Sequence, residues 1–160
     1  MPDLDCTVRR CDDADLPRVL AVHAAHAGRE SVAPTPLESE TWARMMATAD
    51  LTIYIAEHEH RPAGTATMLL LPNLTYQCAP TAFVEAVVVV PKLRRHGIAR
   101  SMMNVALSDA RSAGCDKVQL LSHKRHSTDG AHALYTGLGF VAEAEGFRRY
   151  LLSDGPPSAG

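Results

Sequence analysis

Residues 81–90 read Thr-Ala-Phe-Val-Glu-Ala-Val-Val-Val-Val and stop at Pro91, and no other stretch constrains the fold as strongly. Consecutive β-branched residues favour a strand, a proline cannot continue it, and so few polar positions predict a strand covered on both faces. A short basic loop follows, and then Ile98 to Ala113 reads as a helix. Its polar residues form one narrow stripe, Arg100, Asn104, Ser108 and Arg111, so the helix is expected to pack over most of its circumference. Such a joint presents helix-head amides and a positive dipole end to an anion, beside Arg94, Arg95 and His96. Gly97 lets the backbone come close to that anion and Ala99 keeps side-chain bulk away. An ordinary strand–turn–helix with solvated cations fits the same residues, and the residues alone leave both readings open.

Elsewhere the pattern is regular. Cys6 to Arg10 reads as an opening strand, and Asp13-Ala14-Asp15 supplies carboxylates ahead of a helix carrying Pro17 in its first turn. Leu16, Val19, Leu20 and His23 continue that helix, and Gly28 to Pro36 breaks it. Glu38 to Ala49 reads as a second helix with Trp42, Met45 and Met46. Leu51 to Glu57 and Thr65 to Leu71 are strands joined as a hairpin across His58 to Gly64, and Pro72 to Pro80 is a loop. Lys117 to Ser122 is a strand, Thr128 to Leu138 a short helix ended by Gly139, and a last strand is expected near Arg148 to Leu152. Strands that first meander and then alternate with helices predict an α/β (α+β) chain, its sheet antiparallel early and parallel late. Residues 1–152 are expected to form one domain and 153–160 a flexible tail.

Composition removes several classes of function. The 160 residues are 46% hydrophobic and 21% charged, so a packed core is affordable without staples. Sixteen Lys and Arg against 18 Asp and Glu leave a net charge of −2, which gives no general reason to bind nucleic acid or an anionic membrane. No GxxxxGK[ST] loop is present and no GxGxxG follows a strand, which excludes the usual phosphate loops. Cysteines at 6, 11, 78 and 115 match no zinc spacing and no disulfide framework, and the paired histidines lack thiol or acidic partners, so no metal is expected. The start of the chain lacks an apolar segment flanked by positive charge, and no apolar run is long enough to span a bilayer, so a cytoplasmic protein with free thiols is expected.

Two segments carry a resemblance. Arg94-Arg95-His96-Gly97-Ile98-Ala99 resembles the [QR]-x-x-G-x-[GA] signature of the GNAT superfamily of N-acetyltransferases, together with the valine-rich strand before it. Ala131 to Phe140 resembles the family's A-x-x-x-Y-x-x-x-G-F segment, with Tyr135 as its tyrosine. Phe83 to Val89 and Gly114 to Lys117 are further similar to segments of glucosamine-6-phosphate N-acetyltransferases, although Ala86 and Asp116 depart from that pattern. The resemblance implies a mixed central sheet of about six to seven strands flanked by about four helices.

It also implies acetyl-CoA as co-substrate and a small-molecule amine as acceptor; a homodimer is common among proteins of this resemblance, with no interface legible in these residues. In such proteins the diphosphate rests on amides of the signature loop, here Arg95, His96, Gly97, Ile98, Ala99 and Arg100. The pantetheine arm pairs with the strand near Val88, Val89 and Val90, and Arg95 and Arg100 are placed to meet the 3′-phosphate. Thr128 stands where many members carry an asparagine that contacts the coenzyme. Tyr135 is implied as the acid that protonates the leaving thiolate, while its place on an apolar stripe equally suits a core tyrosine. Glu85 interrupts an apolar strand, so its carboxylate must be paired, protonated or near solvent; a base of raised pKa for the acceptor ammonium is the functional alternative. A non-catalytic acyl-CoA sensor would need the loop but neither Glu85 nor Tyr135, and a longer acyl group is a third reading. The acceptor is expected to meet Ala27 to Glu38, Pro72 to Pro80 and Glu143 to Arg149.

Overall fold

The computed structural model describes residues 5–128 and 130–151, and the chain groups into two compact units, Met1–Leu120 and Leu121–Gly160. The expected tail at 153–160 lies outside the described residues. The first unit is built on strands β1 (Thr7–Arg10), β2 (Leu51–His58), β3 (Arg61–Leu71), β4 (Thr81–Val89) and β5 (Lys117–Leu120), in the spatial order β1-β2-β3-β4-β5. The first four pair antiparallel and β4 pairs with β5 in parallel, so the antiparallel-then-parallel sheet is as expected. The strand count is not. The described residues hold five strands rather than six to seven, and residues 148–150 form none. Phe147 and Tyr150 are three apart, a spacing that puts them on opposite sides of an extended chain, and both are exposed.

Helices α1 (Leu16–His26) and α2 (Pro36–Met46) cover one face of the sheet, and α3 (Ile98–Ser112) covers the other. Thr35 caps α2 through a reciprocal pair: its hydroxyl accepts from the Glu38 amide, and the Glu38 carboxylate accepts from the Thr35 amide. Trp42 of α2 and Leu16 and Val19 of α1 pack on Ile53 and Ile55 of β2. On the opposite face Ile98, Met102, Met103, Ala106 and Ala110 of α3 are buried, and Arg100, Asn104, Ser108 and Arg111 are exposed, as the polar stripe predicts. The buried Tyr54 hydroxyl donates to Asp109 Oδ2 at 2.8 Å, and Arg10 holds the same carboxylate at 3.0 Å, which ties α3 to β1 and β2.

Charged groups lock the start of α1 to the sheet. Arg9 meets Asp15 with both guanidinium nitrogens, at 2.6 and 2.7 Å, and reaches Glu57 Oε1 at 3.1 Å; Arg18 joins Glu57 from α1. The Asp12 amide donates to Asp15 at 2.9 Å. Asp15 is almost fully buried, yet the Arg9 guanidinium holds its carboxyl below the usual carboxylate range, outweighing desolvation.

The second unit contains α4 (Ala131–Gly137). Gly139 takes φ +89, a conformation open to glycine, and its amide bonds to the Thr136 carbonyl while the Phe140 amide bonds to the Tyr135 carbonyl, each at 3.0 Å. This reversal folds the Phe140 ring edge-on to Tyr135, with centroids 6.0 Å apart. The glycine and phenylalanine of the second motif therefore position its tyrosine.

Candidate functional site

Strand β4 changes character halfway along. From Thr81 to Val84 it is bonded on both sides, to β3 and to β5. The register with β5 ends at Val84 and Leu120, and beyond it that edge of β4 has no strand partner among the described residues. On the other edge the register with β3 jumps from Thr67–Glu85 to Thr65–Val88, so β4 holds one residue more than its neighbour, and Ala86 takes φ +51 in the bulge. A bulge bends and twists its strand, which accords with β4 parting from β5 at this point. Beyond Val84 the β5-side edge of β4 is thereby left without a strand partner among the described residues, the geometry a pantetheine amide would require.

The loop after β4 is shaped by its backbone. Val90 is anchored by its amide to the Ala63 carbonyl at 2.9 Å, and Pro91–Leu93 forms a single 3-10 turn. Arg95 takes φ +68, which for a non-glycine residue costs of order 1–3 kcal/mol. Gly97 takes φ +80 and heads α3 with no side-chain cap, so the amides of Ile98 and Ala99 open the helix without a side-chain acceptor. The Nδ1 of His96 is buried with no hydrogen-bond partner among the described residues. Arg94 donates to Val89 O at 3.3 Å and to His26 Nδ1 at 2.8 Å, holding the loop against the end of α1. Arg95 and Arg100 are exposed. Strain and an uncapped helix head beside two exposed cations suit an anion that accepts from the amides at the start of α3.

Gly64 sets how closely these parts assemble. A Cβ built there would lie 2.9 Å from the Val88 carbonyl oxygen, 2.9 Å from Met102 Cε and 3.3 Å from Ile98 Cγ2. It marks where β3, the bulged part of β4 and the first turn of α3 meet. Read by itself, the sequence puts Gly64 in the hairpin; a glycine inside a strand pattern is the signal that would have revealed this close approach.

Glu85 is exposed, which decides among its alternatives: it is neither buried nor excluded from water. The expectation that β4 is covered on both faces fails at Phe83, Glu85 and Ala86, all exposed, because the cluster formed by α1 and α2 is centred on β2. The register places Glu85 beside Thr67 and Phe83 beside Leu69, on the face that α1 and α2 cover further across. Glu85, Val88, Val89, Val90 and residues 95–100 thus belong to one unit, around the β4–α3 joint. Tyr135, half-buried against Phe140, and Thr128, exposed in a turn, belong to the other. All four cysteines are free, and burial, with Asp15 nearby, pushes the Cys11 thiol up to about 12. Among the described residues no group of three or more His, Cys, Asp or Glu is placed to hold a metal ion, and no helix is long and apolar enough to cross a membrane.

A family model described as the acetyltransferase (GNAT) family matches residues 20–140. A solved putative acetyltransferase from Agrobacterium tumefaciens str. C58 is 32% identical, with a TM-score of 0.82 over 91% of this chain and 99% of that one. Two more distant structures share the fold. Glucosamine-6-phosphate N-acetyltransferase from Arabidopsis thaliana is 17% identical, with a TM-score of 0.76 over 91% of this chain and 98% of that one. An aminoglycoside N-acetyltransferase solved in complex with CoA is also 17% identical, with a TM-score of 0.73 over 92% and 94%. No curated protein sequence matches the chain.

Proposed function

As a member of the acetyltransferase (GNAT) family the chain is an acyltransferase, and we propose that it uses acetyl-CoA to acetylate the primary amine of a small molecule by direct attack on the thioester. The observation that carries this reading is the joint between the freed edge of β4 and the uncapped head of α3. The amides of residues 95–100, with the Arg95 and Arg100 side chains, would hold the diphosphate and 3′-phosphate. Backbone groups of Val88, Val89 and Val90 would pair with the pantetheine arm.

In the proposed reaction the Glu85 carboxylate takes a proton from the acceptor ammonium, directly or through water, because only the neutral amine attacks. Its nitrogen bonds to the thioester carbon, and a β4 strand amide near Val88 donates to the oxygen that becomes negative. As the carbonyl re-forms and the carbon–sulfur bond breaks, the Tyr135 hydroxyl gives its proton to the thiolate, the role the family resemblance assigns to it, and the second proton lost from the nitrogen restores the tyrosine. No cysteine lies on β4 or in the loop after it to act as an acyl carrier. The proposal places the enzyme in the cytoplasm, where free thiols persist.

Calorimetry with acetyl-CoA, followed by thiol release across an amine panel, tests the reading. Tyr135→Phe is expected to lower turnover by ~10²-fold or more with coenzyme affinity nearly intact. Unchanged turnover removes Tyr135 from the mechanism. Tight coenzyme binding with no thiol release on any amine identifies a sensor instead.

A further inference from the structure

We infer that the acceptor is a monoamine bearing an apolar, ring-sized group near its nitrogen, seated on the uncovered sheet face beside Glu85; this rests on the proposed function and names its substrate class. Three consecutive rows of that face differ in character. The first pairs Thr67 with Glu85, the second Leu69 with Phe83, and the third Leu71 with Thr81, which in turn pairs with Lys117 of β5. Leu69 and Phe83 are each 38% exposed and Leu71 is 48% exposed, an uncommon arrangement for neighbouring large apolar side chains on one sheet. At the far end Lys117 lies 4.2 Å from the centre of the Tyr76 ring and donates to its hydroxyl at 3.0 Å.

The order along the face is therefore carboxylate, apolar pair, cation. An ammonium is drawn to the Glu85 end. From there the Phe83 position, two residues back along the strand, is roughly 7 Å away. That distance is the reach of an amine carried on the order of two or three carbons from a ring. Facing side chains in the second row stand about 5 Å apart, which suits a flat group lying across Leu69 and Phe83. Lys117, roughly 13 Å from the Glu85 row, repels a second ammonium, so polyamines and multiply charged amino sugars are disfavoured on this face. A polyhydroxylated acceptor would lay its hydroxyls against Leu69, Leu71 and Phe83, whose side chains offer them no hydrogen bond.

The test compares 2-phenylethylamine with glucosamine 6-phosphate and a polycationic aminoglycoside as acceptors, reading thiol release after acetyl-CoA binding has been measured. The expected result is a kcat/KM about 10²-fold higher for the arylalkylamine. Phe83→Ser, and independently Leu69→Thr, should raise its KM about tenfold and leave acetyl-CoA affinity unchanged. Circular dichroism and sedimentation of each variant accompany the kinetics. Preference for either hydrophilic amine overturns the inference while the acetyltransferase reading stands. So does an unchanged KM in both variants, including the case in which Phe83→Ser dissociates a dimer, because the face then serves a second copy. Failure to bind acetyl-CoA removes the proposed function itself, and the acceptor class with it.

Discussion

Replacing Gly64 by alanine tests whether the β4–α3 joint is held together as its geometry implies. The added Cβ would stand 2.9 Å from both the Val88 carbonyl oxygen and Met102 Cε, closer than such atoms approach in folded proteins. Met102 Cε ends a flexible side chain and can swing away. The Val88 oxygen is backbone, on the strand proposed to hold the pantetheine arm, so relief there requires β4 to shift. Overpacking of this kind costs about 1–3 kcal/mol, and Gly→Ala returns about 0.4–1 kcal/mol by restricting the unfolded chain. A net loss of up to about 2.6 kcal/mol follows, or up to roughly 10 °C in melting temperature for a chain of this size. Since a 1 Å misplacement of reacting groups can cost ~10²-fold, a shift of part of an ångström at Val88 should lower kcat/KM by about tenfold. Gly114→Ala is the control: it also strains the backbone, at φ +71, but meets nothing within 4 Å. Thermal melts, acetyl-CoA calorimetry and steady-state kinetics on both variants decide the matter. If Gly64→Ala melts with wild type and binds acetyl-CoA equally well, the close approach at Val88 is not what sets the joint.

Two further predictions concern charge and thiols. The Asp15 carboxyl is held below its unfolded value of 3.8, so its contribution to stability is present above that pH and is lost as pH falls through the lower folded value; urea midpoints between pH 6 and 2.5 should drop at the acid end in wild type and less steeply in Asp15→Asn. Cys11, its thiol raised to about 12 and packed against the α1–α2 cluster, should resist a thiol-exchange reagent at pH 8, whereas exposed Cys78 reacts at once, so that Cys78→Ser removes the fast phase of the time course.

What could be read from the chain beforehand divides along physical lines. The valine strand, the 3.6-residue stripe of α3 and the glycine at its head report their own local geometry, and each is found where the pattern puts it. Register is a property of two strands, so the extra residue at Ala86 left no mark in the β4 sequence. The hairpin is tighter than its composition suggests: Glu59 and His60 both take positive φ, and Pro62 and Gly64, residues that usually break strands, lie inside β3. They are tolerated there because the β2–β3 register also slips between Ala56 and Glu57. Tyr76, Gln77 and Cys78 all take left-handed backbone angles that none of these residue types announces. Exposure of Glu85 depends on where α1 and α2 end, which no pattern within β4 records. The motif around Tyr135 was legible because Gly139 and Phe140 shape its surroundings within a few residues.

The supernumerary residue at Ala86 alters the arithmetic of the whole ribbon. An undisturbed strand shows one side at every second position, yet Glu85 and Val88, three apart, both stand opposite threonines of the same β3 face. Odd and even positions exchange meaning at this point. On the proposed reading, side chains before it face the molecule to be modified and the main chain after it grips what delivers the group. Because the two halves answer to different parities, a change of preference for one partner need not disturb the hold on the other.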